Sequence, residues 1–346
     1  MTISLESIPR FTAAEALAVA ARDYGISGPV SALPSERDQN FLIADPRGGK
    51  FVLKIANRDD SPELLDFQHQ AMRRVARSLR DCRVQEVVPA RAGAFIAAIE
   101  SAAGVRYCVR VTRWLNGEVL ANCARGAALC ESIGSTMAQI DVALRDFAHP
   151  AMHRVLQWDL RHAGLAREHA HLLPRARRAR ADAAFAQWEE VDWTLLRHSV
   201  IHGDANSHNV LTEGGRMSGL LDFGDMVHTA TVCELAVALA YTLLEDPEPL
   251  ASAAHVIRAY HGVNPLTGPE QRVLFPLVLA RLAASVCYAA HNRTRNPADP
   301  YQVVTETAAW DLLERLAAYP IDAAPGMVRE ACAAPAAGCG RPITRV

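Results

Sequence analysis

The amino-acid sequence predicts an α+β protein, in which a small N-terminal antiparallel sheet with one long helix precedes a larger, mainly helical part. At 346 residues, the chain is longer than one hydrophobic core usually organises, so we expect two lobes. Strand-like runs separated by glycine-containing turns are concentrated before Leu115. From Ala121 onward, apolar residues recur mostly at helical spacing.

The first lobe is predicted to contain two helices and two pairs of strands. Residues 12–23 have helical periodicity and end before Gly25. A longer helix over 63–79 begins after Pro62, which suits the first turn of a helix. The strand candidates, each pair joined by a glycine-containing turn, are 40–44 with 50–55 and 94–99 with 106–113.

The second part is predicted to be helical, with three short β-rich pieces at 199–202, 209–212 and 218–221. Its clearest apolar helices are predicted at 233–244, 281–291 and 303–316. The last residues are rich in Ala, Gly and Pro, a composition that favours loose packing. We therefore predict an N-terminal lobe over 1–114, a second lobe over 115–320 and a loosely packed tail over 321–346.

Composition argues against several classes of partner. A net charge of −2 gives no electrostatic reason to expect nucleic acid or an anionic membrane. The most apolar segment, 273–290, is interrupted by Pro276 and Arg281 and is expected to be a buried helix. Eight cysteines occur without a C-x-x-C pair, which favours reduced thiols. We predict a cytoplasmic protein without nucleic-acid or membrane partners.

The most informative feature is a pair of polar motifs at the ends of short predicted strands. The first is His-Gly-Asp-Ala-Asn-Ser-His-Asn at 202–209, and the second is Asp-Phe-Gly-Asp at 222–225. Asp204 suits a base for an attacking hydroxyl group, whereas Asn209 and Asp222 offer the hard oxygen atoms that Mg²⁺ prefers. Phosphoryl transfer needs this combination, because it depends mainly on positioning and on neutralisation of charge.

Two other interpretations of these motifs stay open from the residues alone. Asp and Asn could simply cap the backbone of two polar turns. Alternatively, His202, Asp204 and His208 could bind zinc or a pair of metal ions in a hydrolase. The six-residue separation of the two histidines is unlike the spacing of helical metal ligands. We therefore expect His202 to pack beneath the loop.

These residues together resemble the aminoglycoside phosphotransferase and choline kinase superfamily, over about residues 10–320. The sequence looks most like its hydroxylysine kinase group, including kinase modules fused to aminotransferases. The resemblance is carried by the segments 200–206, 219–226 and 232–236, with additional matches at 158–161 and 310–313. It implies a bilobal, protein-kinase-like fold and Mg²⁺-dependent transfer of phosphate from ATP or GTP.

The resemblance also implies roles for individual residues. Asp204 would be the catalytic base, and Asn209 and Asp222 would bind magnesium. Lys54, a single cation ending an apolar strand, would hold the nucleotide phosphates. The supporting residues would be His202, Asp225, which assists the metal or braces its loop, and Glu234, which anchors the catalytic loop. The nucleotide base would meet the backbone near Trp114 and Leu115.

The sequence departs from the kinase pattern at two places. No glycine-rich loop precedes the strand of Lys54, so Ser35 and nearby amides are expected to cover the phosphates. The usual glutamate partner of the lysine is also replaced. Gln68 fits this position best by spacing, with Asp66 and Glu63 as neighbours that could substitute.

The acceptor is the least determined part of the prediction. By resemblance it is a small alcohol that bears an amine, with 5-hydroxylysine first and amino alcohols such as ethanolamine next. An aminoglycoside acceptor is the alternative, and a nucleotide-binding pseudokinase or regulatory module is the alternative from another class. Among residues that could line an acceptor pocket, Asp159 would suit an ammonium group and Arg281 a carboxylate.

Overall fold

The computed structural model describes residues 7–35, 37–295, 304–320 and 323–334. Its N-terminal part is a six-stranded sheet, in which every neighbouring pair is antiparallel. Its strands are β1 (Val30–Leu33), β2 (Gln39–Ala44), β3 (Lys50–Ile55), β5 (Val87–Val88), β6 (Ala97–Glu100) and β7 (Arg106–Arg113). The sheet has the order β1-β2-β3-β7-β5, and β6 also pairs with β7.

Two helices accompany this sheet. Helix α1 (Ala13–Val19) begins at Thr12, which forms a capping box with Glu15, and continues as a π-helical segment to Tyr24. Helix α2 (Pro62–Ser78) begins at Ser61, whose side chain accepts a hydrogen bond from the amide of Leu64. The predicted hairpin, second strand pair and long helix are therefore all present.

Two small sheets connect the N-terminal part to the helices. Strands β4 (Arg83–Val84), β8 (Glu118–Val119), β10 (Val210–Glu213) and β11 (Arg216–Leu220) form one sheet in the order β4-β11-β10-β8. Strands β9 (His198–Ile201) and β12 (Val227–Ala230) form an antiparallel pair. The polar motifs predicted from sequence lie in the connections β9–β10 and β11–β12, so the small sheets place both loops side by side.

The remaining described chain is mainly helical, as expected. Its helices are α3 (Ala127–Leu144), α4 (Gly164–Arg167), α5 (Arg175–Glu189), α6 (Val232–Thr242), α7 (Pro249–Val263), α8 (Gly268–Arg295), α9 (Glu306–Ala317) and α10 (Ala324–Ala333). The α+β fold class with an antiparallel sheet and many helices is confirmed. Residue 303, the start of one predicted helix, lies outside the described residues.

Hydrophobic burial forms two clusters. The smaller cluster lies between the six-stranded sheet and α1, with Phe41, Leu53 and Val109 among its members. The larger cluster contains the helices from α3 onward and also the apolar face of α2, including Phe67. The long helix of the predicted first lobe therefore packs mostly with the second core. The division at 114 remains a prediction from the sequence.

Within the described residues, helix α8 is long and apolar enough to cross a membrane by length and composition. However, 89% of its most apolar window is buried inside the protein, as in the core helix of a globular protein. The expected buried helix over 273–290 is therefore present, and it retains Pro276 within the helix. The cytoplasmic location remains a prediction.

The end of the described chain differs from the loosely packed tail expected there. Helix α10 buries Ala324, Val328 and Ala331 against α7 and α8, because these small and β-branched apolar residues share one helical face. Residues 321–322 and 335–346, the rest of the predicted tail, lie outside the described residues.

Candidate active site

The two polar loops border a pocket between the six-stranded sheet and the helices. The pocket is lined by the β1–β2 loop, by strand β7, by both motif loops and by residues of α6 and α8. Asp204, Asn209, Asp222 and Asp225 all line it. Sequence reasoning thus identified residues that the fold does bring together.

His202 supports the first motif loop from below. Its ring is fully buried and lies edge-on to Phe223, with ring centroids 4.7 Å apart. Nε2 donates to the carbonyl of Leu221 at 3.0 Å, so Nδ1 is the acceptor for the amide of Asp204 at 3.2 Å. Burial lowers the pKa of His202 to about 4, which keeps the ring neutral. The ring packs beneath the loop, and both ring nitrogens are occupied, which argues against the zinc interpretation.

Glu234 anchors the same loop from the start of α6. Its Oε2 accepts hydrogen bonds from the backbone amides of His202 and Gly203. Gly203 has a φ of 77°, and a Cβ there would lie 3.0 Å from the carbonyl oxygen of Asp225. Burial raises the pKa of Glu234 to about 7, against the lowering effect of the two amides. The geometry agrees with the anchoring role expected from the sequence.

Asp204 is held by amide and guanidinium groups. Asn209 donates from Nδ2 to the backbone oxygen of Asp204 at 3.0 Å and to its Oδ2 at 2.7 Å. Asn206 and Arg281 approach the other oxygen, Oδ1, at 2.9 and 3.5 Å. Burial and then the charge of Asp225 raise the pKa of Asp204, whereas Arg281 opposes them. A positioned carboxylate with a raised pKa suits a general base.

The second motif loop presents Asp222 toward the sheet. Asp222 has a φ of 53°, an uncommon conformation for a residue with a side chain, and such residues cluster at functional sites. Its Oδ1 accepts from the amide of Gly224 at 3.0 Å, and its Oδ2 lies 3.1 Å from Nζ of Lys54. Burial alone would raise the pKa of Asp222, but the charges of Lys54 and Arg110 hold it below its usual value.

The oxygen atoms of this site fit a magnesium ion. Asn209 uses its amide nitrogen on Asp204, which leaves its amide oxygen as the group that can bind a cation. The carboxylate of Asp222 is the charged oxygen donor on the same pocket. Among the described residues, no group of three or more His, Cys, Asp or Glu side chains could hold a metal by itself. Two protein ligands are nevertheless a common arrangement for Mg²⁺, which takes its other ligands from water and phosphate.

The partner expected for Lys54 is corrected by the structure. Among the hydrogen bonds of the described residues, none joins Gln68 to Lys54; Oε1 of Gln68 instead accepts a hydrogen bond from Nη1 of Arg110. Asp66 contacts Gln70 and His149, and Glu63 is exposed. The salt bridge of Lys54 is made with Asp222. Register explains the difference, because Arg110 stands directly opposite Lys54 on the neighbouring strand and reaches Gln68 itself.

The β1–β2 loop covers one side of the pocket. Ser35 lines the pocket, as expected for a residue near the phosphates. Arg37 in the same loop contacts Oδ1 of Asp60 at 2.9 Å and Oδ1 of Asp225 at 3.6 Å. Asp225 thereby links the second motif loop to the β1–β2 loop, a geometry that agrees with the bracing role considered for it.

The segment expected to meet the nucleotide base follows β7. The amide of Trp114 donates to the carbonyl of Lys50 at 2.9 Å, so this donor belongs to the sheet. Trp114 is 37% exposed, and Leu115 is half-buried. Within the described part of the chain, neither residue lines the pocket that holds Asp204. Their contact with a nucleotide base stays a prediction.

The opposite side of the pocket is aromatic and helical. Arg281 on α8 is 1% exposed, and its guanidinium carbon lies 4.6 Å from the ring of Trp158 and 5.3 Å from that of Tyr241. Nη1 of Arg281 donates to the carbonyl of Trp158 at 2.7 Å. Arg281 therefore lies beside Asp204 at the base of the pocket, which it also lines, and its contact with an acceptor carboxylate stays a prediction. Tyr288, from the same helix, also lines the pocket.

The acid considered for an ammonium group does not lie in the pocket. Asp159 is buried and accepts from the hydroxyl of Thr229 at 2.9 Å and from the amide of Arg161 at 3.0 Å. It caps a short 3₁₀ turn, as its position before Leu160 allows. Sequence reasoning also missed Arg110, although a lone arginine within an apolar strand is a visible signal of a buried charge.

Comparison with known proteins shows the family and the fold of the chain. A profile of the phosphotransferase enzyme family matches residues 29–275. The hydroxylysine kinase of Mus musculus is 31% identical over 338 residues, which cover 89% of this chain and 90% of that protein.

The fold is shared with solved structures, of which two are described. A microcompartment-associated aminopropanol kinase has a TM-score of 0.68 at 18% identity, covering 86% of this chain and 95% of its own. An amicoumacin kinase in complex with AMP-PNP, Ca²⁺ and amicoumacin has a TM-score of 0.67 at 15% identity, covering 90% and 95%.

Proposed function

The chain belongs to the phosphotransferase enzyme family, and we propose that it phosphorylates the hydroxyl group of a small amine-bearing acceptor, first of all 5-hydroxylysine. The donor would be ATP or GTP with Mg²⁺. The observation that carries the proposal is the arrangement of Asp204, Asn209 and Asp222 around one pocket. The similarity to a hydroxylysine kinase over most of both chains supports the choice of acceptor.

Asp204 would orient the acceptor hydroxyl. Asn206 and Asn209 fix its two carboxylate oxygens, so the carboxylate can accept a hydrogen bond from the hydroxyl in one orientation. As the oxygen attacks phosphorus, the proton moves to Asp204, whose pKa is raised for this purpose. Little other chemistry is needed from the protein, because phosphoryl transfer is accelerated mainly by positioning and charge.

The phosphates and the metal would be held by the opposite wall of the pocket. Asn209 and Asp222 would bind Mg²⁺, which supplies charge neutralisation on the transferred phosphate. Lys54 would bind the phosphates of the donor. Its present partner, Asp222, is then shared between the lysine and the metal ion, as its lowered pKa and permanent negative charge allow.

Charge on the acceptor side favours a small acceptor over an aminoglycoside. An aminoglycoside carries several ammonium groups and would need several acidic partners. The described residues of that wall contribute Trp158, Tyr241, Tyr288 and the buried cation Arg281, beside Asp225 and Asp204. With two carboxylates, this lining suits an acceptor with one or two ammonium groups, as in an amino alcohol or 5-hydroxylysine, better than an acceptor with several. The intact catalytic and metal residues likewise argue against a pseudokinase.

A coupled assay of nucleoside diphosphate release tests the proposal. It would be run with Mg²⁺ and either ATP or GTP, over 5-hydroxylysine, ethanolamine, choline, homoserine and kanamycin. We expect 5-hydroxylysine to give the highest kcat/KM, and Asp204→Asn to lower the acceptor-dependent rate at least about 100-fold. A higher kcat/KM for kanamycin would establish the aminoglycoside alternative. Nucleotide binding without turnover of any acceptor would favour the pseudokinase.

A further inference from the structure

A second cation stands beside Lys54 in the sheet. Strands β3 and β7 are antiparallel, and their register places Arg110 directly opposite Lys54. Side chains at opposed positions lie on the same face of a sheet, about 5 Å apart at their β-carbons. Both residues are buried, and Arg110 lines the pocket that contains Asp222. Two neighbouring buried cations repel one another, so their retention requires an anionic partner.

The partners of Arg110 within the protein leave part of its hydrogen-bonding capacity unused. Nη1 donates to Gln68, which is an uncharged amide. Nη2 lies 3.9 Å from Oδ2 of Asp38, beyond hydrogen-bonding distance. Its Nε is buried and has no hydrogen-bond partner among the described residues. By contrast, Lys54 has a carboxylate at 3.1 Å. The carboxylate contact of Arg110 is thus a long ion pair, and its guanidinium keeps a donor that could bind phosphate.

We propose that Arg110 is a second phosphate-binding residue, which acts with Lys54 on the di- or triphosphate of the nucleotide. Gln68 serves Arg110 in this arrangement, by holding its guanidinium toward the pocket. The inference rests on the proposed function, because it takes a nucleoside triphosphate as the donor. Arginine suits the task, since its planar fork of donors matches phosphate oxygens.

In this arrangement, phosphate binding by Arg110 requires the uncharged amide of Gln68 in place of the usual glutamate. A glutamate there would pair with Arg110 and cancel the charge that attracts phosphate. Glutamine orients the guanidinium through one hydrogen bond and leaves the charge in place. The missing lysine–glutamate pair therefore does not weaken the site. The nucleotide would meet two cations on adjacent strands, where the family pattern has one.

The competing interpretation is a structural brace. Arg110 reaches both α2, through Gln68, and the end of the β1–β2 loop, near Asp38. A brace would stabilise these elements without touching phosphate. The two roles predict different effects of substitution. Loss of a phosphate-binding residue weakens binding of a nucleotide but not of its nucleoside, whereas loss of a brace does not separate the two affinities.

The test compares ligands with and without phosphates. Binding of Mg-ADP would be measured by titration calorimetry and binding of adenosine by ligand-observed NMR, or with GDP and guanosine if GTP is the donor. For Arg110→Met we expect Mg-ADP affinity to fall about 10- to 100-fold, the range of charge-assisted hydrogen bonds, with adenosine affinity unchanged. Arg113→Met is the matched control, since Arg113 ends the same strand, is exposed and pairs with Glu86. It should bind both ligands like the wild type.

A second variant keeps the inference testable if Arg110→Met does not fold. Gln68→Glu should leave the melting temperature at or above that of the wild type, because it creates a buried ion pair, yet weaken Mg-ADP about 10-fold. The melting temperature of this variant is thus kept or raised while its affinity for Mg-ADP falls. Unchanged Mg-ADP affinity in this variant, or equal losses for ADP and adenosine in Arg110→Met, would overturn the inference. Failure of the wild type to bind any nucleotide would instead overturn the proposed function.

Discussion

The two walls of the pocket are built differently. The wall assigned to the nucleotide comes from adjacent strands and two short loops, and it is dominated by charge. Lys54 forms a salt bridge with Asp222, and Arg110 lies opposite Lys54 on the neighbouring strand. The opposite wall comes from helices and from the segment near Trp158, and it is dominated by aromatic rings around Arg281. The charged wall suits the nucleotide phosphates, which are the same for every acceptor. The residues of the helical wall can differ between enzymes that phosphorylate different acceptors, because they come from separate helices.

Asp204 stands between the two walls and should show the largest effect of all. We expect Asp204→Asn to lower kcat by about 100- to 10,000-fold, the usual contribution of a general base. The isosteric amide keeps the shape of the loop, so Mg-ADP affinity should stay within about twofold of the wild type. Steady-state kinetics and calorimetry measure the two quantities. A variant with wild-type kcat would remove Asp204 from the chemistry.

Substitution of Glu234, which anchors the first motif loop, should lower the free energy of unfolding of the protein. Glu234→Ala leaves the amides of His202 and Gly203 buried without an acceptor. Unsatisfied buried donors and the cavity left behind together cost about 3–5 kcal/mol of unfolding free energy. Chemical denaturation measures this loss, with Glu131→Ala as a control on a partly exposed carboxylate. Equal losses for the two variants would contradict the anchoring role.

The pH dependence of stability tests the neutral His202. Its folded pKa is about 4, below the usual 6.5, so the unfolded state binds more protons between these values. The stability due to the neutral ring is present above pH 6.5 and is lost as pH falls toward 4, by about 3 kcal/mol in all. Denaturant unfolding of His202→Gln over this range should therefore show a shallower pH dependence than the wild type. The exposed-site variant His171→Gln should keep the wild-type slope.

The smallest predicted effect is that of Tyr288→Ala, which should change the KM of the acceptor alone. Tyr288→Ala should raise the acceptor KM about 10-fold through lost aromatic contact and leave the nucleotide KM unchanged. Steady-state kinetics with each substrate varied in turn gives both constants. If the nucleotide KM rose instead, the assignment of the aromatic wall to the acceptor would be incorrect.

The sequence predicted the parts of the site that depend on local spacing. Asp204, Asn209 and Asp222 lie in two short loops, so their place in one pocket could be predicted without knowing how distant elements pack, whereas their roles stay predictions. The α+β fold class was predictable for the same reason, because period-2 and period-3.6 patterns are local.

The contacts that sequence reasoning missed depend on how distant elements meet. Gln68 reaches Arg110 rather than Lys54, because the register of β3 and β7 places the arginine between α2 and the pocket. Arg281 turns inward to Asp204, which depends on where α8 crosses the loop. Neither arrangement follows from the spacing of residues along the chain.

The most direct test of the account is to identify the product. Wild-type protein and Asp204→Asn would be incubated with 5-hydroxylysine, Mg²⁺ and ATP or GTP, and the acceptor analysed by mass spectrometry and ³¹P NMR. We predict one phosphate on the side-chain hydroxyl in the wild-type reaction, matched by one nucleoside diphosphate, and formation of this product at least about 100-fold more slowly with the variant. Unmodified 5-hydroxylysine after prolonged incubation with nucleotide-bound wild-type protein would contradict it.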